Sequence, residues 1–416
     1  MPNVTNGGAG ESLALLLEEA DLRGRDSASR YPEHKFFGYL CSYFPEELIL
    51  AAGFEPLRLL PDPGPATPAE LPTYCCSLAR GTLAGAKKGK MRELAGVGVA
   101  GVGVAGVGVA GVGVAGVGVA GVGVAGVGVA HTCDTMQCLD GIWAAGFGRE
   151  KVLSVVPPVM LAAAGGRDYY QSEMESLYDS LLRLSAEQAQ IVDHSRSNRA
   201  EALDRAWETC TKARQLAAEL DELRSHLPSP LISALLRAGQ LMPKTRYIAA
   251  LEEVLPLLRE KVGDPGVSGE RYRVLVTGAV LETDSLFQMI EELGGRVVAD
   301  DTCTGYRHYV QPALPQTRGE NGLAQIVERY RNMPPCPCRN QGLDGRLDYL
   351  ESLALAREAQ GAVLVVRKYC EPHAWDTVPL CERLQARNIR TLVLELEASE
   401  VGGQERTRLQ AFLESL

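Results

Sequence analysis

The residues of this chain that could do chemistry are cysteines placed where predicted strands end or helices begin. Cys133 lies in the stretch HTCDTM (residues 131–136), directly after an apolar Gly/Val run that ends at Ala130. This abrupt change predicts a buried strand that opens into a polar loop. Because ligands in open α/β sheets gather beyond the carboxyl ends of the strands, the loop at Cys133 is a candidate site.

Cys76 and Cys370 hold similar positions, each in or just after a turn beside a predicted strand or helix start. The two are far apart in sequence, so spacing alone gives no metal signature such as CxxC. Cys336 and Cys338 form a tighter pair in Pro-Cys-Pro-Cys. That pair could bind zinc or an iron–sulfur cluster, or it could be two incidental thiols in a rigid proline loop.

Four other cysteines fit the ordinary role of small buried hydrophobes: Cys41, Cys138, Cys210 and Cys381. Eleven cysteines in a large chain of this composition indicate thiols, metal or catalysis rather than disulfides.

Ser42, Glu46 and Glu47 lie at the first predicted strand–helix junction and could offer a hydroxyl and an acid/base to a substrate. The favoured alternative is that a first-turn glutamate complements the helix dipole. Neither GxGxxG nor GxxxxGK[ST] occurs after Thr277 or at residues 300–305, where a nucleotide could bind. The chain therefore does not itself resemble an ATPase.

Composition places the chain in the soluble globular class. It has 416 residues, of which 46% are hydrophobic and 23% charged, so two or three domains are expected. A net charge of −10 argues against nucleic-acid binding. The polar N-terminus lacks the features of a signal peptide, and the Gly-rich repeat is a poor membrane span, so we expect a cytoplasmic protein without a membrane partner.

Short apolar strands alternate with amphipathic helices, which predicts an α/β protein with two doubly wound, mostly parallel sheets joined by a helical region. The expected parts, in chain order, are an N-terminal arm (1–30), a first α/β domain (31–165), a helical connector or lid (166–268) and a second α/β domain (269–416).

The pentapeptide Ala-Gly-Val-Gly-Val runs seven times without a fault over residues 95–129. This much glycine disfavours helix and strand alike. We interpret the segment as the expansion of one short strand. Only the last copy, at residues 126–130, need occupy the sheet, and the other copies form an inserted loop.

The chain resembles the 2-hydroxyacyl-CoA dehydratase / benzoyl-CoA reductase family, 2-hydroxyglutaryl-CoA dehydratase D-component type, from about residue 35 to 416. The repeat departs from the resemblance. The matching motifs are FGYLCSYFPEEL (37–48), CSLAR (76–80), HTCDT (131–135), ADDTCTG (299–305), KYCEPH (368–373) and GQERTR (403–408).

The resemblance implies a [4Fe–4S] cluster held by Cys76, Cys133 and Cys370, with Cys75 as the competing first ligand. Three thiolates leave one iron open to a thioester carbonyl. One electron then gives a ketyl radical anion that expels the 2-hydroxyl group, a base removes the acidified β-proton, and the electron is returned.

The resemblance also implies an acyl-CoA substrate, a homologous second subunit in a heterodimer, and a separate ATP-hydrolysing iron–sulfur activator. That activator agrees with the missing phosphate loop. The rival interpretations are a benzoyl-CoA reductase or double-cubane-type reductase subunit, and a non-catalytic partner subunit.

Overall fold

The computed structural model describes these segments of the chain: residues 8–24, 27–61, 67–87, 124–161, 163–188, 196–262, 272–312, 322–338, 342–397 and 400–416. The loop predicted for the upstream repeat copies, at residues 95–123, lies outside the described residues.

The first sheet has four parallel strands in the order β2-β1-β3-β4. These strands are β1 (Phe36–Tyr39), β2 (Glu55–Arg58), β3 (Val124–Ala130) and β4 (Val152–Val155). The helices of this part are α1 (Gly8–Leu22), α2 (Ser27–Arg30), α3 (Glu46–Ala51), α4 (Ser77–Gly85) and α5 (Asp134–Phe147).

The last repeat copy forms a strand at the centre of this sheet, as predicted, although β3 begins two residues earlier, at Val124. Its glycines are needed for packing. A Cβ atom at Gly128 would lie 2.4 Å from the ring of Phe44, and one at Gly126 would lie 2.6 Å from the carbonyl oxygen of Lys151. The repeat therefore supplies a strand thin enough to be covered closely by its neighbours.

A helical region follows the first sheet. It contains α6 (Gly166–Glu187), α7 (Arg196–Glu222), α8 (Ser229–Ala238) and α9 (Lys244–Glu260). Helix α7 packs on α3 and α9, while α8 packs on α1 and on a strand of the second sheet. Helix α1 also packs on α9, so its buried residues Leu16 and Ala20 join the core of this region.

The second sheet also has four parallel strands, in the order β6-β5-β7-β8. These strands are β5 (Tyr272–Gly278), β6 (Gly295–Asp301), β7 (Gly361–Arg367) and β8 (Arg390–Leu396). The accompanying helices are α10 (Ser285–Glu292), α11 (Gly322–Arg331), α12 (Leu343–Ala356), α13 (Glu371–Gln385) and α14 (Gly403–Leu413).

Both sheets therefore share one strand order, in which the first and third strands of each are neighbours. In the first sheet the chain adds β2 on one side of β1 and β3 on the other. In the second sheet it adds β6 and β7 on opposite sides of β5 in the same way. Such topological switch points are where ligands bind in doubly wound folds. The predicted α/β class with two doubly wound parallel sheets is confirmed.

The helix after Cys370 begins directly, at Glu371, because Pro372 is well suited to a first helical turn. One prediction about the cysteines was wrong. Cys138, expected to be buried, is exposed, since α5 turns Met136, Leu139 and Trp143 inward instead. Cys210 is buried as expected, whereas Cys41 and Cys381 are only partly buried.

Candidate functional site

Each of the three cysteines predicted to share a site is the N-cap residue of a helix. Cys76 precedes α4, Cys133 precedes α5 and Cys370 precedes α13. The unpaired N–H groups at a helix N-terminus carry partial positive charge, which favours a thiolate over a thiol. None of the three side chains makes a capping hydrogen bond to the first turn of its helix.

The topology explains why cysteines so far apart in sequence meet. Cys133 follows β3 and Cys370 follows β7, which are the equivalent third strands of the two sheets. Cys76 lies on the connection after β2, and Cys303 follows β6, the equivalent second strand. Each domain therefore brings cysteines to the carboxyl ends of its own sheet.

The electrostatics of Cys370 place these thiols in one cleft. Burial raises the pKa of Cys370 to about 11, and the nearby thiols of Cys133, Cys303 and Cys336 add to the rise. Cys370 in turn helps to raise the pKa of Cys76. Ionised groups influence each other in this way only when they are close together.

An ion-pair contact joins the two domains beside this cleft. Arg80, in the helix that follows Cys76, lies 3.5 Å from the carboxylate of Glu397, and Lys368, two residues before Cys370, lies 3.4 Å from the same carboxylate. The loops that carry Cys76 and Cys370 therefore face each other across the domain boundary.

Cys338 belongs to the same group of thiols, although its sequence motif suggested a separate pair. A hydrogen bond with Cys338 lowers the pKa of Cys133 to about 7. The thiols of Cys133 and Cys336 raise the pKa of Cys338 well above its usual range. The sulfur atoms of Cys133 and Cys338 therefore lie within hydrogen-bonding reach of each other.

Cys303 was not singled out from the sequence. Its Sγ accepts a hydrogen bond of 2.7 Å from Nη2 of Arg307. The usable signal was its position directly after a strand, the same criterion that identified Cys133.

Cys75 remains an alternative to Cys76. Its thiol hydrogen-bonds to Cys76 and to Thr135, and the bond with Cys76 is the main reason why its pKa falls to about 7. Both cysteines are buried at the same N-terminus of α4, so position alone does not choose between them.

The described thiols do not form a site for a single metal ion. Within the described residues, no three His, Cys, Asp or Glu side chains converge on one metal position. A cubane cluster does not require such convergence, because each thiolate binds a different iron. All eleven cysteines are free, and Cys76, Cys133 and Cys370 approach one cleft from three helix N-termini.

Ser42 is held firmly at the carboxyl end of β1 and is 9% exposed. Its hydroxyl donates a hydrogen bond of 3.2 Å to the carbonyl oxygen of Cys303 and accepts one of 3.1 Å from Nη1 of Arg58. It therefore links the first domain to the loop after β6. Its catalytic role stays a prediction.

Glu46 lies in a buried polar network. Its Oε1 accepts hydrogen bonds of 2.7 Å from both Nζ of Lys244 and the hydroxyl of Tyr39, and its Oε2 lies 3.3 Å from Nε2 of His308. Burial alone would raise its pKa, but Lys244 and His308 hold the pKa of Glu46 well below its usual range. A carboxylate engaged in this way is suited to positioning, and an acid/base role stays a prediction.

The cavity of about 420 Å³ between β4 and α6 is a separate feature, lined by residues such as Ser154 and Arg183. Its lining includes none of the described cysteines, so it does not mark the thiol cleft. Among the described residues, no helix is both long and apolar enough to cross a membrane.

Residues 41–416 match the 2-hydroxyglutaryl-CoA dehydratase, D-component family, and the chain belongs to that family. The match begins just after β1 and includes the other strands, the helical region and every cysteine of the cleft.

Named relatives cover nearly the same length. The chain is 21% identical over 389 residues to (R)-phenyllactyl-CoA dehydratase beta subunit of Clostridium sporogenes, with 92% of each chain covered. It is 23% identical over 389 residues to lactoyl-CoA dehydratase subunit beta of Anaerotignum propionicum, with 91% of each covered. It is 20% identical over 371 residues to one of the subunits of benzoyl-CoA reductase of Thauera aromatica, covering 86% of this chain and 84% of the relative.

These likenesses confirm the predicted family. The family and its named relatives are acyl-CoA dehydratases with a benzoyl-CoA reductase as a related branch, so the predicted enzyme class is confirmed as well.

Proposed function

We propose that this chain is the iron–sulfur subunit of a 2-hydroxyacyl-CoA dehydratase, with a [4Fe–4S] cluster held by Cys76, Cys133 and Cys370. The observation that carries the proposal is the convergence of these three N-cap cysteines on one cleft, two from the first domain and one from the second. Family membership across residues 41–416 supports it.

Held by these three thiolates, such a cluster would supply Lewis-acid and one-electron chemistry to a thioester substrate. The chain's own residues do the positioning. The helix N-termini stabilise the thiolates, and partial burial of the sulfurs excludes water. Ser42 and Glu46 fix the loop after β1 against the second domain through Cys303 and His308. We propose that Glu46 acts through these contacts rather than on the substrate directly.

The partners follow from the same proposal. The dehydratase relatives are named as beta subunits, so we propose a homologous second subunit that completes the enzyme. The low-potential electron comes from a separate ATP-hydrolysing iron–sulfur activator, and the substrate is an acyl-CoA.

One observation favours a second candidate, a reductase with a larger iron–sulfur group of the double-cubane type. Cys303, Cys336 and Cys338 stand beside the three proposed ligands, and Cys338 contacts Cys133 directly. These additional thiols could hold more iron than one cubane requires. A benzoyl-CoA reductase is among the named relatives, which supports a reductase as the alternative.

The test is to purify the chain anaerobically, alone and with its co-purifying subunit, and to measure iron and sulfide. About four of each per chain would support the dehydratase proposal. A clearly larger content that falls partway in Cys303→Ala would favour the double-cubane reductase. A colourless, zinc-loaded protein would overturn both.

Activity then separates the reactions. The protein is assayed with activator, ATP and a panel of CoA esters. Conversion of a 2-hydroxyacyl-CoA to the 2-enoyl-CoA supports dehydration, whereas a reduced aromatic ring supports the reductase. Activity only after the second subunit is added would show that this chain does not work alone.

A further inference from the structure

His373 turns back from the first turn of α13 onto the cysteine that precedes the helix. Its Nδ1 lies 3.3 Å from Sγ of Cys370. Its other ring nitrogen, Nε2, is buried without a hydrogen-bond partner among the described residues. The backbone of Gly278 lies nearby but does not reach full hydrogen-bond geometry. Cys370 is therefore the hydrogen-bond partner of the imidazole.

The thiolate decides which nitrogen carries the proton. A neutral imidazole has one N–H donor and one acceptor nitrogen. A deprotonated sulfur can only accept, so Nδ1 must be the donor when Cys370 is a thiolate. Nε2 is then left as an unpaired acceptor, which costs less than an unpaired N–H. A thiolate at Cys370 therefore selects the tautomer that carries its proton on Nδ1.

We propose that His373 is a positioning residue that donates an N–H···S hydrogen bond to the Cys370 thiolate and thereby sets the reduction potential of the cluster. This inference rests on the proposed function. Hydrogen bonds to ligand sulfurs withdraw electron density and stabilise the reduced state, so they raise the potential.

The test uses three substitutions that separate the hydrogen bond from the bulk of the ring. His373→Asn keeps an N–H donor near the position of Nδ1, His373→Gln places its amide near the position of Nε2, and His373→Leu has no donor. The readouts are iron and sulfide content and the reduction midpoint of the anaerobically purified protein.

We expect full iron content and a more negative midpoint in His373→Leu and His373→Gln, with a midpoint close to the wild type in His373→Asn. The matched control is Thr377→Val. Thr377 hydrogen-bonds to the carbonyl of His373 at 2.9 Å, one turn along the helix, so its replacement should leave the midpoint unchanged.

An unchanged midpoint in His373→Leu, or an equal shift in His373→Asn, would overturn the inference. If His373→Leu loses its iron, His373→Asn is the deciding variant. Retained iron and a wild-type midpoint in His373→Asn support the hydrogen bond. Loss of iron in His373→Asn as well would overturn the inference, because the ring would then only pack. A wild-type protein without iron and sulfide would instead overturn the proposed function, before any variant is made.

Discussion

Cys133, in the cleft, differs from a structural cysteine such as Cys210 in its hydrogen-bond partner and not only in burial. Cys210 is 2% exposed, within helix α7, and burial raises its pKa well above the usual range. Cys133 is also largely enclosed, yet it stands at a helix N-terminus beside another thiol, and its pKa falls to about 7. The hydrogen bond with Cys338 therefore distinguishes Cys133 from Cys210, and also from Cys370, whose pKa is raised by burial and by neighbouring thiols.

Single Cys→Ala substitutions should separate these groups. Alanine at position 76, 133 or 370 removes one of three protein ligands, and we expect loss of the iron. Cys210→Ala is the control; it should keep its iron and cost about 0.5–3 kcal/mol of unfolding free energy. Iron content and denaturant unfolding, both measured anaerobically, check the prediction.

Cys75→Ala tests which residue is the first ligand. If this variant loses its iron while Cys76→Ala keeps it, the ligand is Cys75 rather than Cys76. Loss of iron in Cys336→Ala and Cys338→Ala, with retention in Cys133→Ala, would transfer the site to the proline-rich loop.

The sequence revealed these residues more readily than their partners. Glu46 was identified from its place at a strand–helix junction, but its partners Lys244 and His308 are 198 and 262 residues away along the chain. The contact between Cys133 and Cys338 is of the same kind. Local pattern indicates where a polar side chain emerges from the fold, and only tertiary packing decides what it meets.

At the scale of elements, strand β3 should tolerate almost no added volume. Gly128→Ala would place a methyl group 2.4 Å from the ring of Phe44, and we expect a loss of about 1–3 kcal/mol in unfolding free energy. Gly141→Ala is the matched control in α5, where a Cβ meets nothing within 4 Å. It should stabilise the protein by about 0.5–1 kcal/mol because alanine is the better helix former. Chemical denaturation of both variants checks the pair, and equal losses would contradict it.

The upstream repeat copies should be dispensable for the cluster. Since β3 begins at Val124, within the sixth copy, removal of residues 95–119 leaves the whole strand sequence in place. We expect unchanged iron content and circular dichroism. Loss of soluble protein on this deletion would show that the repeat is structural.

Element types were predicted well where a strand is apolar on both faces, as in β7, whose residues are all buried and apolar up to Val366. The sequence pattern placed Cys370 at a junction like that of Cys76, and the structure adds that all three cysteines are N-cap residues.

At the scale of the whole molecule, Glu46 connects three parts of the chain. It lies in α3, Lys244 begins α9 of the helical region, and His308 belongs to the second domain. Glu46→Gln would remove the carboxylate that pairs directly with the buried ammonium group of Lys244, so we expect a loss of about 3–5 kcal/mol in unfolding free energy.

The matched control is Glu18→Gln, which breaks an exposed pair with Arg30 and should cost at most about 1 kcal/mol. Similar losses in the two variants, measured by urea unfolding, would show that the buried network contributes little to stability.

The same network predicts acid sensitivity. Burial lowers the pKa of His308 from 6.5 to about 4, so the unfolded chain binds a proton in this interval while the folded chain does not. The contribution of neutral His308 to the unfolding free energy is therefore fully present above pH 6.5 and falls as the pH drops towards 4. Glu46, whose pKa is depressed, adds a loss only at more acid pH. Unfolding free energies at several pH values check this, and His308→Asn should flatten the slope between pH 6.5 and 4; an unchanged slope would contradict the assignment.

The repeat that ends in β3 also has a consequence for inheritance. Residues 119–125 have the same sequence as Val124–Ala130, so a replication error that adds or removes a whole copy restores the same strand and the same junction to His131. The sequence of the strand is the same whatever the number of copies that precede it. We therefore expect the number of upstream copies to differ between lineages while the last copy and its junction to His131 are kept.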